Sequence, residues 1–204
     1  KLASLLSVGK KSYEAVIQLG KTTDTYDVTG SQTDDFIETK YRAETLTLET
    51  IKVAAKSFTG TFLQQPPPYS AKKVNGTRAY RLARKNAAVQ LSPTEVCVYA
   101  LEIAAFHDNR LFCKITCSRG FYVRSLAHDL GQHLGCGGCL EQLRRTQSGV
   151  FTLQQSVHLD EFDCEINFPV KKIIPMNELL PELPVIVVTD SGSRNIAHGN
   201  TVPK

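Results

Sequence analysis

SRGFYVRSLAHDLG, running from Ser118 to Gly131, is the stretch from which the fold is read. Ahead of it, Leu111-Phe112-Cys113-Lys114-Ile115-Thr116-Cys117 alternates as a strand does, and Ser118-Arg119-Gly120 is turn chemistry. Within and beyond it, Val123, Leu126, Ala127, Leu130 and Leu134 recur at helical spacing. The stretch is therefore a strand, a turn and an amphipathic helix, with Arg124 in the first turn of the helix. A helix N-terminus carries roughly half a positive charge, so Arg119 and Arg124 there need a compensating anion, either a carboxylate or a phosphate. On spacing alone the ordinary fate of Arg124 is a structural salt bridge or a side chain reaching to solvent.

Upstream of this stretch, Glu95 to Phe106 and Leu111 to Cys117 read as antiparallel strands joined around Asp108-Asn109. Tyr13-Glu14-Ala15-Val16-Ile17-Gln18-Leu19 reads as a strand closed by Gly20 and followed by the polar loop TTDTYDVTG. A helix is expected from about Thr47 to Phe58, with Leu48, Ile51, Ala54, Ala55 and Phe58 on one side and Gly60 as its stop. Pro66, Pro67 and Pro68 force an extended segment. Helices and mostly antiparallel strands mix without a βαβ rhythm, which predicts an α+β fold: a mixed, mainly antiparallel sheet flanked by helices.

The 204 residues are 42% hydrophobic and 22% charged, enough for one good core and a small appendage. Their net charge of +4 conceals an asymmetry. From Thr50 to Thr94 there is no Asp or Glu, while Lys52, Lys56, Lys72, Lys73, Arg78, Arg81, Arg84 and Lys85 supply eight positive charges. Arg78, Arg81 and Lys85 follow i, i+3, i+7 on a helix expected to begin near Gly76, with Ala79, Leu82 and Ala83 turned the other way. A solvated helix face normally interleaves Glu with Lys, and this one has no acid to pair with. Like charges that repel one another suit a polyanion, nucleic acid above all, although an acidic protein surface would satisfy the same pattern.

Six cysteines include the pair Cys136-Gly-Gly-Cys139, which has the spacing of a zinc knuckle. Cys113 and Cys117, four apart on a strand, are about 13 Å from each other, too far to share an ion. His128 and His133 are five apart on the helix and do not share a face. Reduced thiols in a cytoplasmic protein, with no metal, are the simpler reading. No run reaches the length of a membrane span, and Leu2 to Val8 is too short for a signal sequence. The chain opens on Lys1 directly into an apolar segment and reads as a piece of a longer polypeptide. Past about Val157, prolines interrupt repeatedly before Val185-Ile186-Val187-Val188, which reads as one buried-type strand.

Several motifs in collinear order resemble the TruB-type tRNA pseudouridine synthases: Lys11-Ser12-Tyr13, GKTTDTYDVTG (Gly20 to Gly30), QQPPPYSAKKVNGTRAYRLAR (Gln64 to Arg84), the Arg124 stretch, and LGCGGCLEQLRRTQSGVF (Leu134 to Phe151). The resemblance implies isomerisation of a uridine in the T arm of tRNA, by a monomer that uses no cofactor. It implies that Arg124 holds the nucleophilic carboxylate, that Tyr13 lies against the target base, and that Tyr122 and Leu143 are further base contacts. It also makes Lys72, Lys73, Arg78, Arg81, Arg84 and Lys85 the expected contacts to the RNA backbone. Implied domains are a partial catalytic domain over 1–158, a linker over 159–182, and a reduced or truncated β segment of the PUA type over 183–204. Ser12, Phe121 and Lys72 depart from the family's Arg, Thr and Leu. The family's nucleophile lies in a Gly-Thr-Leu-Asp motif, which does not occur in residues 1–204. Asp24 and Asp27 fall in a loop the family also has, and Asp129 is expected on the polar side of its helix, so none is read as the nucleophile. The chain alone is expected to be inactive, with Arg124 held by solvent, an anion or a substitute carboxylate. The alternative is a non-catalytic RNA-binding module.

Overall fold

The computed structural model describes residues 2–33, 43–74, 76–85, 91–161, 173–184 and 186–202, and these fall into two units, Lys1–Ser156 and Val157–Lys204. The first unit is built on a six-stranded sheet in the order β2-β5-β6-β1-β7-β8. Its strands are β1 (Lys11–Leu19), β2 (Gly60–Gln64), β5 (Thr94–His107), β6 (Arg110–Cys117), β7 (Gly138–Ser148) and β8 (Phe151–Thr152), and every neighbouring pair is antiparallel. The short strands β3 (Lys73–Val74) and β4 (Thr77–Arg78) form a separate hairpin. The α+β expectation holds for this unit.

β5 and β6 turn around Asp108 and Asn109, whose φ values of 52° and 59° place both in the left-handed region that a tight two-residue hairpin demands. Asp and Asn tolerate that region because their short polar side chains bond locally. On β6 the expected alternation is realised: Leu111, Cys113, Ile115 and Cys117 are all buried on one face. Ala15, Ile17 and Leu19 of β1 join them, and the apolar side of helix α4 (Val123–His133) closes over this face with Val123, Leu126, Ala127 and Leu130. Helix α2 (Leu48–Ala55) adds Ile51 and Ala54 and is capped by the Thr47 hydroxyl, which accepts from the Thr50 N–H. A short 3-10 turn, Lys56–Phe58, completes the expected span, and Gly60 with φ of 92° opens β2.

Other expectations change. The apolar opening segment does form a short helix, α1 (Ala3–Leu6), but helix α3 spans only Ala79–Ala83, five residues, with Arg78 as its extended N-cap rather than a helical position. Arg78, Arg81, Arg84 and Lys85 are nonetheless all exposed while Ala79 and Ala83 are buried. In the second unit the expected strand at Val185 to Val188 is not formed by its described residues: Ile186 and Val187 are 79% and 93% exposed. The described regular structure beyond Leu183 is helix α5 (Asp190–Ala197), capped by Thr189, in place of a β element. Val185 and Cys164 lie outside the described residues. Among the described residues no helix is long and apolar enough to cross a membrane.

Candidate active site

The loop that leaves β1 is held together over its described residues 20–33 by its own side chains. The Thr23 hydroxyl donates to the Asp27 carbonyl at 2.7 Å, and the Ser31 N–H donates to Asp24 Oδ1 at 2.8 Å. Asp27 Oδ1 accepts from the Thr29 N–H at 3.0 Å, the Thr29 hydroxyl at 2.5 Å and the Thr25 hydroxyl at 3.0 Å. Backbone bonds from Val28 N to Leu140 O (2.9 Å) and from Leu140 N to Tyr26 O (3.0 Å) fasten the loop to the start of β7. Threonine and aspartate in this density serve such a loop because each offers its own backbone a local partner.

Into this loop the start of α4 delivers Arg124. Its Nη1 donates to Asp27 Oδ2 at 3.1 Å and to the Thr25 carbonyl at 3.3 Å, and its Nη2 donates to the Tyr69 carbonyl at 2.9 Å. Asp27 is thus the substitute carboxylate, and it supplies the negative charge that the helix start requires. Partial burial pushes the Asp27 carboxyl up. Hydrogen bonds from the Thr29 hydroxyl and N–H and from Thr25, with the charge of Arg124, outweigh that and hold it below the usual carboxylate range. A guanidinium has five N–H donors, and three are used here, so two face no acceptor among the described residues.

A second contact repeats the first one helical turn on. His128, at i+4 from Arg124, stacks on Tyr26 with ring centroids 3.9 Å apart and planes 8° from parallel. Tyr26 has φ of 63°, a left-handed backbone that turns its ring to the helix. Burial lowers the His128 pKa, and burial raises that of Asp129 to about 6. Asp129 is half-buried, and its charge raises the Tyr26 hydroxyl pKa.

Tyr13 sits elsewhere on the same ribbon. It pairs across β1 and β7 with Arg145, and Ala15 two residues on pairs with Leu143, which is 46% exposed. Tyr13, Ala15 and Ile17 share the face on which α4 packs, so Tyr13 and Leu143 lie on the side of the sheet that also carries Arg124. Burial raises the Tyr13 hydroxyl, the nearby Cys117 adds to this, and Arg145 opposes it. Tyr122 is the N-cap of α4 and its backbone is bonded to the Gln64 side chain.

Of the basic residues, Lys73 stands exposed in the β3–β4 hairpin, and Arg81 and Arg84 flank the Tyr80 ring at 6.0 and 5.4 Å. Lys72 differs: its Nζ turns back to the Ser92 carbonyl at 2.8 Å and to the Thr94 hydroxyl, closing the base of the excursion that leaves β2 and returns at β5. Buried Cys136 donates to the carbonyls of Gly131 and Gly137, and Cys139 lies fully buried beside it in sequence.

Two family models cover most of this chain. One, for the N-terminal domain of TruB family pseudouridylate synthases, matches residues 1–123, and one for the C-terminal domain of tRNA pseudouridylate synthase B matches residues 124–180. A relative from Solibacter usitatus, named tRNA pseudouridine synthase B, is 41% identical over 206 residues. The chain belongs to the TruB family of pseudouridylate synthases. That alignment takes in the whole chain and 68% of the relative, and a Clostridium kluyveri protein of the same name is 36% identical over 99% of the chain and 67% of its own length. Among solved structures, a Cbf5-Nop10-Gar1 complex matches with a TM-score of 0.65 at 24% identity, over 96% of this chain and 50% of the matched one. At that identity the likeness speaks for the fold. The chain thus spans about two thirds of its TruB relatives and half of the solved chain. The two family models meet at Arg124 inside α4, whose apolar face packs into the core of the first unit, so their junction is no structural boundary.

Asp27, Tyr26 and His128 were not singled out by the sequence pattern as parts of the site. The available signal was the i, i+4 spacing of Arg124 and His128, together with the demand of a helix-start cation for a carboxylate.

Proposed function

We propose that this chain is the larger part of an enzyme that converts a uridine in the T arm of tRNA to pseudouridine. The observation that carries the reading is the Arg124 guanidinium, fixed by Asp27 and two peptide carbonyls yet with two N–H donors that meet no acceptor among the described residues. Donors held in that way suit a second carboxylate, the nucleophile of a Gly-Thr-Leu-Asp segment, which they would keep ionised and aimed. Asp27 itself is a poor nucleophile, because its oxygens already accept three hydrogen bonds and an ion pair.

In this reading the bond from ribose C1′ to uracil N1 breaks, the base turns, and C1′ joins C5. The proton on C5 departs while N1 takes one up, so the step is an isomerisation that calls for no cofactor. Tyr13 packs on the flipped base, with Tyr122 and Leu143 as further apolar walls, offsetting an unstacking cost of a few kcal/mol. Lys73, Arg78, Arg81, Arg84 and Lys85 bind phosphates. Lys72 serves the fold of that basic excursion and touches RNA less directly. Residues 1–158 act as the catalytic part, 159–182 as a linker, and 183–204 as the start of an accessory segment, in a monomer working in the cytoplasm.

The test is to incubate unmodified tRNA transcript with two proteins, the 204-residue chain and the full product of the parent gene, and to measure pseudouridine by mass spectrometry. Activity confined to a protein that contains a Gly-Thr-Leu-Asp segment supports the reading. Pseudouridine made by the 204 residues alone would mean that the nucleophile lies among them. Salt-sensitive tRNA binding without turnover by either protein selects the non-catalytic RNA-binding module instead.

A further inference from the structure

β2 ends on Gln64, opposite Thr94 of β5, and the Gln64 side chain then does something that a strand neighbour normally does. Its Oε1 accepts from the Tyr122 N–H at 2.8 Å and its Nε2 donates to the Tyr122 carbonyl at 3.0 Å, so one carboxamide satisfies both polar groups of one residue's backbone. The Tyr122 carbonyl also accepts the Leu126 N–H, the first hydrogen bond of α4. Gln64 is 2% exposed, and water does not replace these partners. The residues after it continue the grip. The Ser125 hydroxyl donates to the Gln65 carbonyl at 2.7 Å, and Arg124 Nη2 donates to the Tyr69 carbonyl. Between Gln65 and Tyr69 stand three prolines, two of them fully buried, whose fixed φ leaves this stretch little freedom.

We propose that Gln64 is a positioning residue for Arg124. By locking the peptide groups of Tyr122, it fixes the direction in which α4 departs, and so the place at which the guanidinium, two residues on, meets Asp27 and its open side. The Tyr122 side chain makes no cap hydrogen bond to the first turn of α4, and Gln64 supplies a restraint there from a strand 58 positions away. The proposal rests on the catalytic reading of Arg124 given above.

Its test uses the full-length protein that makes pseudouridine, with single-turnover rate and tRNA Kd measured separately for wild type, Gln64→Met and Gln64→Glu. Thermal melts and circular dichroism confirm that each is folded. Misplacement of a reacting group by about 1 Å can cost on the order of 100-fold in rate, and a loss of that order is expected for Gln64→Met, with tRNA Kd within about threefold of wild type. Gln64→Glu carries the sharper signature. As a carboxylate it accepts from the Tyr122 N–H but repels the Tyr122 carbonyl, and once protonated it regains a donor. Its deficit relative to wild type should therefore shrink by roughly tenfold between pH 8 and pH 5.5, while that of Gln64→Met stays constant. Folded variants with wild-type rates, a loss seen only in Kd, or a Gln64→Glu deficit that is flat with pH would each overturn the proposal alone. A wild-type protein without turnover would overturn the functional reading, and the proposal with it.

Discussion

At the residue scale, the pairing of Arg124 with Asp27 makes two kinds of prediction. Both side chains are about three-quarters buried, so neither charge is left alone cheaply. Asp27→Ala strips acceptors from Arg124, Thr25 and Thr29, and should lower the stability of the 204-residue chain by about 2 kcal/mol in urea unfolding. Because the folded Asp27 holds its proton more weakly than an unfolded one, its stabilisation is present above about pH 4 and lost as the pH falls through the folded value. The gap between wild type and Asp27→Asn should accordingly close below pH 4, and a gap unchanged from pH 7 to pH 3 would argue against the ion pair. In the full-length enzyme, Arg124→Ala should nearly abolish turnover and leave tRNA binding largely intact, whereas equal loss of both would assign Arg124 to phosphates. Asp129 has the opposite sign. Its folded pKa is raised to about 6, so the folded state binds protons more tightly between about pH 4 and pH 6, and the site costs stability as pH rises through that window. Asp129→Asn should gain about 1 kcal/mol at pH 7, allowing for solvent screening of a half-exposed group, and nothing at pH 4.

At the scale of elements, what could be read in advance depended on whether local chemistry decided the outcome. The β5–β6 hairpin was legible because Asp108-Asn109 specifies its turn and Leu111, Cys113, Ile115 and Cys117 keep strict alternation. α4 was legible for the same kind of reason. β7 was not, although it pairs with the central strand over its whole length, because bulges opposite Ser12/Tyr13 and Val16/Ile17 break the period of two and its outer half is polar. The spacing predicts a longer helix than α3 because Arg78 fits a helical stripe while its backbone is extended. The union of Arg124 with Asp27 spans 97 positions and needed the fold. One element contact is tight enough to test directly: a Cβ on Gly131 of α4 would collide with the backbone of Gly137 and Gly138 where β7 begins. Gly131→Ala should cost about 3 kcal/mol or more, since backbone on both sides cannot yield. Near-wild-type stability would show that helix and strand part more easily than this approach implies.

At the scale of the whole molecule, all the residues of the principal core come from the first unit. Residues 1–156 alone should therefore unfold in one cooperative urea transition and give a dispersed amide spectrum, and an aggregated or molten product would show that the core is insufficient. Replacing Arg78, Arg81 and Lys85 together in the full-length protein should weaken tRNA binding and reduce the salt slope by about one unit per lost phosphate contact. An unchanged slope would turn that face to solvent or to protein. The basic excursion and the Arg124 site share covalent ground, since Tyr69, which receives Arg124, is followed at once by Ser70, whose carbonyl accepts from Tyr80 of α3.

Two of the three acceptors that hold Arg124 are peptide carbonyls, at Thr25 and Tyr69. A substitution changes a side chain but leaves the carbonyl where it was, whereas a single-residue insertion or deletion moves it. The lineage of such a site should then record many exchanged letters and a frozen spacing: between Gln64 and Tyr69 the count of residues is what inheritance must preserve.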